Sequence, residues 1–537
     1  MNKPFATVLD SATSLKNKTG SWRTMRPEYV TMLPPCNATC PAGENIQQWL
    51  SLAQEGKFRE AWEVMVKDNP FPATMGRVCY HTCERVCNRD QFDGAVNINL
   101  IERSIGDIAI ANGWQFESVP ETKNKKILII GGGPSGLTAA YFLRKLGYGV
   151  AIYESHIKLG GMMRYGVPRY RLPGDVMDSE IRRIIDMGVS VVCNRMVSDI
   201  KTEARDFDAV YIAIGAYQAI KASLNVQEGS NTIDAVELLR KLEDYPSSLP
   251  TLGKKVIVYG GGNTAIDAAR TVLRLGAESV KIVYRRTINN LSAHDTEIHE
   301  ALEEGIEILC LRTINTVEKG KVLLDIMNYD EENDILSKTE QTDSLPADSV
   351  IFAVGQSLDK EILKGTKEIS ISEHGVIEID RNMMTGAEGI FAGGDAIMGK
   401  RTVTHAIGAG KKAAKCIDAY LQGLEPSVNI KNPAATFKRL NTAYFPQNPR
   451  VNVSRLGDIS FEEKNISYFD QEIVDEASRC FSCGNCFHCD NCYGYCPDNA
   501  IIKYPDGSLE INLDYCKGCG MCVAECPCGS MKMTLDE

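Results

Sequence analysis

Eleven of the chain's nineteen cysteines lie between residues 480 and 528, and eight of these form one spacing used twice. Cys486-x2-Cys489-x2-Cys492-x3-Cys496-Pro is followed by Cys516-x2-Cys519-x2-Cys522-x3-Cys526-Pro. A terminal segment of roughly 60 residues is too short to build a large apolar core and needs bound metal to hold a fold. In a doubled run of this kind, three cysteines of each run hold one 4Fe–4S cluster and the fourth crosses to the other. The expected sets are Cys486, Cys489, Cys492 and Cys526, and Cys516, Cys519, Cys522 and Cys496. Zinc, at four thiolates per tetrahedral site, does not account for the repeated spacing. Cys480, Cys483 and Cys528 are left over, as inert thiols, a redox pair or ligands to an additional centre.

Five more cysteines, at 36, 40, 79, 83 and 87, flank a helical pattern. Ile46, Trp49, Leu50 and Leu52, then Phe58, Ala61, Trp62 and Val64, recur at helical spacing, with a break at Glu55-Gly56. Five clustered thiols in a reducing compartment point to metal or redox chemistry. A single 4Fe–4S cluster is expected here, which brings the total to three.

Between these ends the texture changes. Gly131, Gly133 and Gly136 form G-x-G-x-x-G after the strand-like KILII and before a helical stretch. Such a turn lets a pyrophosphate approach the backbone and the N–H groups of a helix N-terminus. Glu154 ends the next strand, where a carboxylate accepts from ribose hydroxyls. A second unit has Gly260, Gly262 and Ala265, but its following strand ends in Tyr284-Arg285-Arg286. Two guanidiniums suit a 2′-phosphate and favour NADP(H) over NAD(H). If both arginines face solvent, the site takes either nucleotide. Two facing dinucleotide sites pair FAD with NAD(P)H.

The chain of 537 residues carries a net charge of −11, which excludes a general nucleic-acid binder. No stretch has the ~18 apolar residues of a membrane helix, and residues 1–20 are polar, without a secretory signal. A cytoplasmic protein is expected. The expected fold is α/β multidomain: a helical Fe–S domain (1–120), an FAD domain (121–225 and 346–425), an inserted NAD(P)H domain (226–345), a proline-bearing linker (426–475) and a C-terminal α+β ferredoxin-like domain (476–537).

The stretches PPCNATCPAGENIQQWL, GRVCYHTCERVC, IIGGGPSGL, LGGMMRYGVPRYRLP, GGGNTAIDAAR, VYRR and IFAGGDA resemble the small (beta) subunit family of NADPH-dependent glutamate synthase. That family includes the matching part of dihydropyrimidine dehydrogenase and the large subunit of NADH-dependent ferredoxin:NADP oxidoreductase. The resemblance implies FAD contacts at Pro134, Ser135, Gly161, Arg164, Val167 and Gly215. It further implies them at Gly394, Asp395 and Thr404, with Asp395 on the ribityl–phosphate region. For the nucleotide it implies Asn263, Thr264 and Gly355. Its N-terminal cluster ligands map to Cys40, Cys79, Cys83 and, by spacing, Glu102, with Cys36 or Cys87 as replacements. The family's two further cysteines correspond to Glu28 and Thr31, so only one N-terminal cluster is expected.

The implied function is electron transfer between NAD(P)H, with NADPH favoured, and 4Fe–4S clusters through FAD. No amination or pyrimidine-reducing domain is seen, so a partner is expected to carry the terminal chemistry. Candidates are a glutamate synthase large subunit, a 2-oxoacid:ferredoxin oxidoreductase, a sulfur-metabolising reductase or free ferredoxin. The alternatives are the glutamate synthase small subunit itself and a non-catalytic electron-transfer or assembly subunit.

Overall fold

The computed structural model describes residues 18–117, 119–222, 224–426, 432–451, 459–463 and 466–536. The polar residues 1–17 and parts of the 426–475 stretch lie outside them.

Two parallel five-stranded sheets form the middle of the chain. In the first, the strand Lys126–Ile130 sits between Gly149–Tyr153 and Ala209–Ile212, with Ser190–Val192 and Ile390–Ala392 at the edges. Ile127, Leu128 and Ile129 are fully buried, as a parallel strand covered on both faces requires. Helices Pro134–Lys145 and Val403–Leu421 pack on one face. The second sheet runs Glu307–Leu309, Ser279–Val283, Lys255–Tyr259, Ser349–Phe352 and Thr232–Asp234. Ser349–Phe352 therefore belongs to the inserted domain, past the expected boundary at 345/346. The strands Gln218–Ala219 and Gln356–Ser357 pair antiparallel, so the two crossings into the insertion lie side by side. A further sheet of this domain pairs Arg312–Glu318, Lys321–Asp330 and Ile335–Pro346 antiparallel, with Asn225–Val226 added parallel to Arg312–Glu318.

The helical pair of the N-terminal unit runs Ile46–Gln54 and Phe58–Met65, broken by Gly56 in the left-handed region at φ +70°. Its core holds Trp49 and Trp62 together with Ile473 and Ala477 of the helix Asp470–Ala477. The end of the expected linker is thus part of the helical unit. Glu476 and Arg479, both buried, pair at 2.6 Å. Glu476 also accepts from the backbone N–H groups of Asn97 (2.7 Å) and Val451 (2.9 Å).

The first described residues leave the helical unit altogether. Met25–Tyr29 pairs antiparallel with Met531–Leu535, so an N-terminal strand completes the ferredoxin-like module. Residues two apart share a strand face. Pro27 lines one cysteine-rich hollow of that module and Tyr29 the other. Proline and charge in MRPEY hide this strand from a pattern search. Among the described residues no helix is long and apolar enough to cross a membrane.

Removing one partner of a buried ion pair strands the other charge. Glu476→Ala is expected to cost about 3–5 kcal/mol, read as a lower midpoint of unfolding followed by the fluorescence of the buried tryptophans. A shift below about 1 kcal/mol would contradict the role given to this pair.

Candidate functional site: two nucleotide cavities beside two groups of thiols

A cavity of about 310 Å³ opens at the end of the first sheet. Gly131, Gly133, Pro134, Ser135, Glu154, Gly161, Gly215, Gly394 and Asp395 line it. A Cβ on Gly136 would lie 2.0 Å from the Gly131 carbonyl oxygen, so only glycine lets this helix start so close to the strand. A Cβ on Gly161 would reach within 2.7 Å of Gly133 Cα and crowd the cradle. Glu154 Oε2 accepts from the Gly132 N–H (2.7 Å), and Oε1 from the His156 N–H (2.9 Å). Burial pushes Asp395 up to about 6, with Arg401 opposing the shift. A glycine cradle, a helix N-terminus, a carboxylate at the strand end and a buried aspartate together fit FAD.

Besides Gly136, which packs helix on strand, three expected FAD residues stand outside this lining. Arg164 is buried and held by the Leu159 carbonyl (2.6 Å), Asp178 and Glu243, which makes it a brace. Val167 packs against the apolar core. Thr404 turns the other way and donates to Cys79 Sγ at 3.3 Å. Its own helix is capped by the Thr402 hydroxyl, which accepts from the His405 N–H.

The second cavity, of about 700 Å³, is lined by Gly260, Gly262, Thr264, Arg285 and Gly355. Asp234 and Val236 line both cavities, so they share a wall. The arginine pair divides. Arg285 is exposed and lines the cavity, whereas Arg286 lies 3.6 Å from Asp334, beside the Tyr329 ring. Asn263 also stands outside the lining, donating to Tyr80 of the N-terminal unit (2.7 Å) and accepting from the His294 N–H (2.9 Å).

The N-terminal thiols fall into two neighbouring groups. Burial, and Glu102 beside it, push Cys79 up to about 12. Cys40 is raised by burial and by the charges of Glu44, Cys79 and Glu102. Cys83 is raised by burial and by Cys79, Glu84 and Cys40. Asn69 ties Glu102 (2.9 Å) to Glu44 (3.0 Å). Cys36 and Cys87 neighbour Cys480 and Cys483, and Cys36 is also near Cys83.

At the C-terminus, Cys486, Cys489, Cys492 and Cys526 line one hollow, and Cys496, Cys516, Cys519 and Cys522 another. This is the crossing arrangement of the doubled run. The leftover Cys528 lies in the first hollow, its sulfur 3.8 Å from that of Cys526. Cys486, Cys489 and Cys519 are exposed. Among the described residues, no three His, Cys, Asp or Glu side chains converge tightly enough for a lone metal ion.

The flavin-side helix meets the thiol groups directly. A Cβ on Gly408 would lie 2.2 Å from the Pro41 carbonyl oxygen, next to Cys40. Thr404, one turn earlier, touches Cys79.

Residues 125–413 match the family described as pyridine nucleotide-disulphide oxidoreductase. The chain belongs to this family. Residues 26–114 match dihydropyrimidine dehydrogenase domain II, 4Fe–4S cluster. The NADP(+)-dependent formate dehydrogenase subunit beta of Moorella thermoacetica is 35% identical over 505 residues, 84% of this chain and 70% of that one. The NADPH-Fe(3+) oxidoreductase subunit beta of Geobacter sulfurreducens is 30% identical, over 84% and 75% of the two chains. The glutamate synthase [NADPH] small chain of Azospirillum brasilense is 33% identical, over 72% and 86%. The protein is therefore an NAD(P)H-dependent oxidoreductase with FAD and 4Fe–4S cofactors and a Rossmann-like fold, of a kind that works with a catalytic partner subunit.

A carboxylate hydrogen bond to a ligand is worth about 1.5–3 kcal/mol, or roughly 10- to 100-fold in affinity. Glu154→Ala is expected to weaken FAD retention by that factor and Glu154→Gln by less, measured as bound FAD per chain after gel filtration. Full retention in the alanine variant would remove Glu154 from the site.

Proposed function

We propose that the chain draws electrons from NADPH in preference to NADH and delivers them through its thiol-held clusters to a separate catalytic subunit. One observation carries this reading: the helix at the flavin cavity touches the cluster region, through Thr404 on Cys79 and Gly408 against Pro41. The chain thus offers a continuous protein path from the nucleotide cavities to the N-terminal thiols.

FAD, when bound, supplies the exchange between a two-electron nucleotide and one-electron clusters. The chain's own residues set the geometry. Glu154 and the glycine turn orient the flavin dinucleotide from its adenosine end. The helix Val403–Leu421 presents its N-terminal N–H groups and partial positive charge toward the cavity region that Gly394, Asp395 and Ala406 line. The shared wall at Asp234 and Val236 brings the second nucleotide alongside. Arg285, exposed in the second cavity where the first has Glu154, suits a 2′-phosphate. Cys486, Cys489 and Cys519 open the C-terminal hollows to solvent and support an exit toward a partner there. The relatives named as beta subunits or a small chain support a partner of the type found in formate dehydrogenase or glutamate synthase.

The test is steady-state dye reduction by flavin-replete protein. Arg285→Ala is expected to raise the KM for NADPH roughly 10- to 100-fold, the loss of a charged hydrogen bond, and leave the KM for NADH little changed. Arg286→Ala is expected to alter both by less than about threefold. Equal effects of Arg285→Ala on the two nucleotides would overturn the NADPH preference. Absence of dye reduction with either nucleotide would leave only an electron-transfer or assembly subunit.

A further inference from the structure

Of the three thiols that the doubled run leaves unassigned, Cys528 lies in the ferredoxin-like module, but Cys480 and Cys483 do not. Cys480 and Cys483, a Cys-x2-Cys pair, follow the helix Asp470–Ala477 into the N-terminal unit. Cys480 packs against the same apolar core as Cys36 and Cys87. Burial pushes the Cys36 thiol up, and its neighbours Cys480, Cys87 and Cys483 add to the shift. Cys483 accepts from Asn88, the neighbour of Cys87, at 3.4 Å. Four thiols from three separate stretches, 36, 87 and 480–483, therefore converge in one place.

The surroundings are built to hold them. Asn88 and Ser482 are buried, and the Ser482 N–H donates to Cys480 Sγ at 3.4 Å. Ser482, between the two cysteines, is held in the left-handed region at φ 50°. Gln47 donates to Ser482 (3.3 Å) and accepts from Asn485 (3.0 Å), fixing the turn to the first helix. Two buried guanidiniums stand beside the thiols. Arg89 bonds the Arg479 carbonyl at 2.7 Å, and both arginines contact Asp93. N–H donors and cations around buried sulfur stabilise metal-bound thiolates.

We propose that Cys36, Cys87, Cys480 and Cys483 ligate a fourth 4Fe–4S cluster, adjacent to the one assigned to Cys40, Cys79, Cys83 and Glu102. The expectation of one N-terminal cluster rested on Glu28 and Thr31 standing where relatives carry thiols. In this fold those residues have gone elsewhere. Glu28 lies on the strand paired with Met531–Leu535, 3.7 Å from Lys532, and Thr31 is exposed. The C-terminal Cys-x2-Cys pair takes their place. Cys40, Cys79 and Cys83 keep Glu102 as the fourth group, and no thiol is shared between the two sets.

The proposal rests on the cluster reading of the thiol groups and is tested with the full chain purified anaerobically. Iron and acid-labile sulfide are measured per chain. Four cubane clusters give about 16 of each, three give about 12. The Cys480→Ser/Cys483→Ser double variant is expected to fall to about 12, with bound FAD and circular dichroism showing that it has folded. Cys193→Ser, at a lone cysteine, is expected to keep about 16. The single variant Cys480→Ser is expected to give the electron paramagnetic resonance signal of an oxidised three-iron cluster, because one corner has lost its thiolate. A wild-type value of about 12 with an unchanged double variant would overturn this inference and leave the other three clusters standing. So would zinc in place of iron at this site, or a Cys480–Cys483 disulfide found by thiol titration under denaturing conditions. A wild-type chain with neither iron nor sulfide would overturn the whole cluster reading. The wild-type stoichiometry decides the matter even if the double variant fails to fold.

Discussion

The contact between the helix Val403–Leu421 and the turn at Cys40-Pro41 is the constraint on which the arrangement depends. One helix has to lie against the flavin-domain helix Pro134–Lys145 on one side and against the thiol-bearing turn on the other. Gly410 allows the first approach, since a Cβ there would lie 2.3 Å from the Ser135 carbonyl oxygen, and Gly408 allows the second. A side chain at Gly408 would push the flavin domain from the thiol-bearing turn, and one at Gly410 would part the two flavin-domain helices. Lys411, one turn on, fastens the same junction by donating to the Ala42 carbonyl at 3.1 Å.

Buried charge does for the C-terminal stretch what apolar packing does for the sheets. Arg89, Arg479 and Glu476 are almost inaccessible, yet each has its polar atoms used by carboxylates or backbone groups. Such networks contribute little net stability compared with apolar residues of the same volume, but they tolerate few alternative arrangements. Here they dock 476–485 on the N-terminal unit in one register and so determine which sulfurs meet.

Local patterns made much of the architecture legible. The two glycine turns, Glu154 and the doubled cysteine run each act within a few residues, and the structure brings most of these residues together at the cavities and hollows. The departures arise where a residue's partner is distant. Thr404, Asn263 and Arg164 sit inside recognisable stretches but are engaged by Cys79, Tyr80 and Asp178, none of which the local pattern names. Arg286 differs from Arg285 only in which side of a strand end it leaves, and that is set by Tyr329 and Asp334 on another sheet. The antiparallel sheet over 312–346 did leave a signal, alternation around Gly320 and the polar stretch Asp-Glu-Glu-Asn-Asp at 330–334. The strand Met25–Tyr29 left none, because its pairing partner is at the opposite end of the chain.

That pairing orders the birth of the molecule in time. Arg89 and Arg479 are 390 residues apart, a distance a ribosome covers in about 20–80 s at 5–20 residues per second. Throughout that interval Cys36 and Cys87 wait without Cys480 and Cys483, while the strands of the two nucleotide domains, Lys126–Ile130 to Ile390–Ala392, are made. The ferredoxin-like module waits longer still, since Met25–Tyr29 pairs with Met531–Leu535, which follows every strand of the two nucleotide domains. The thiols at 36, 87, 480 and 483 can therefore meet only after the scaffold between them has been made.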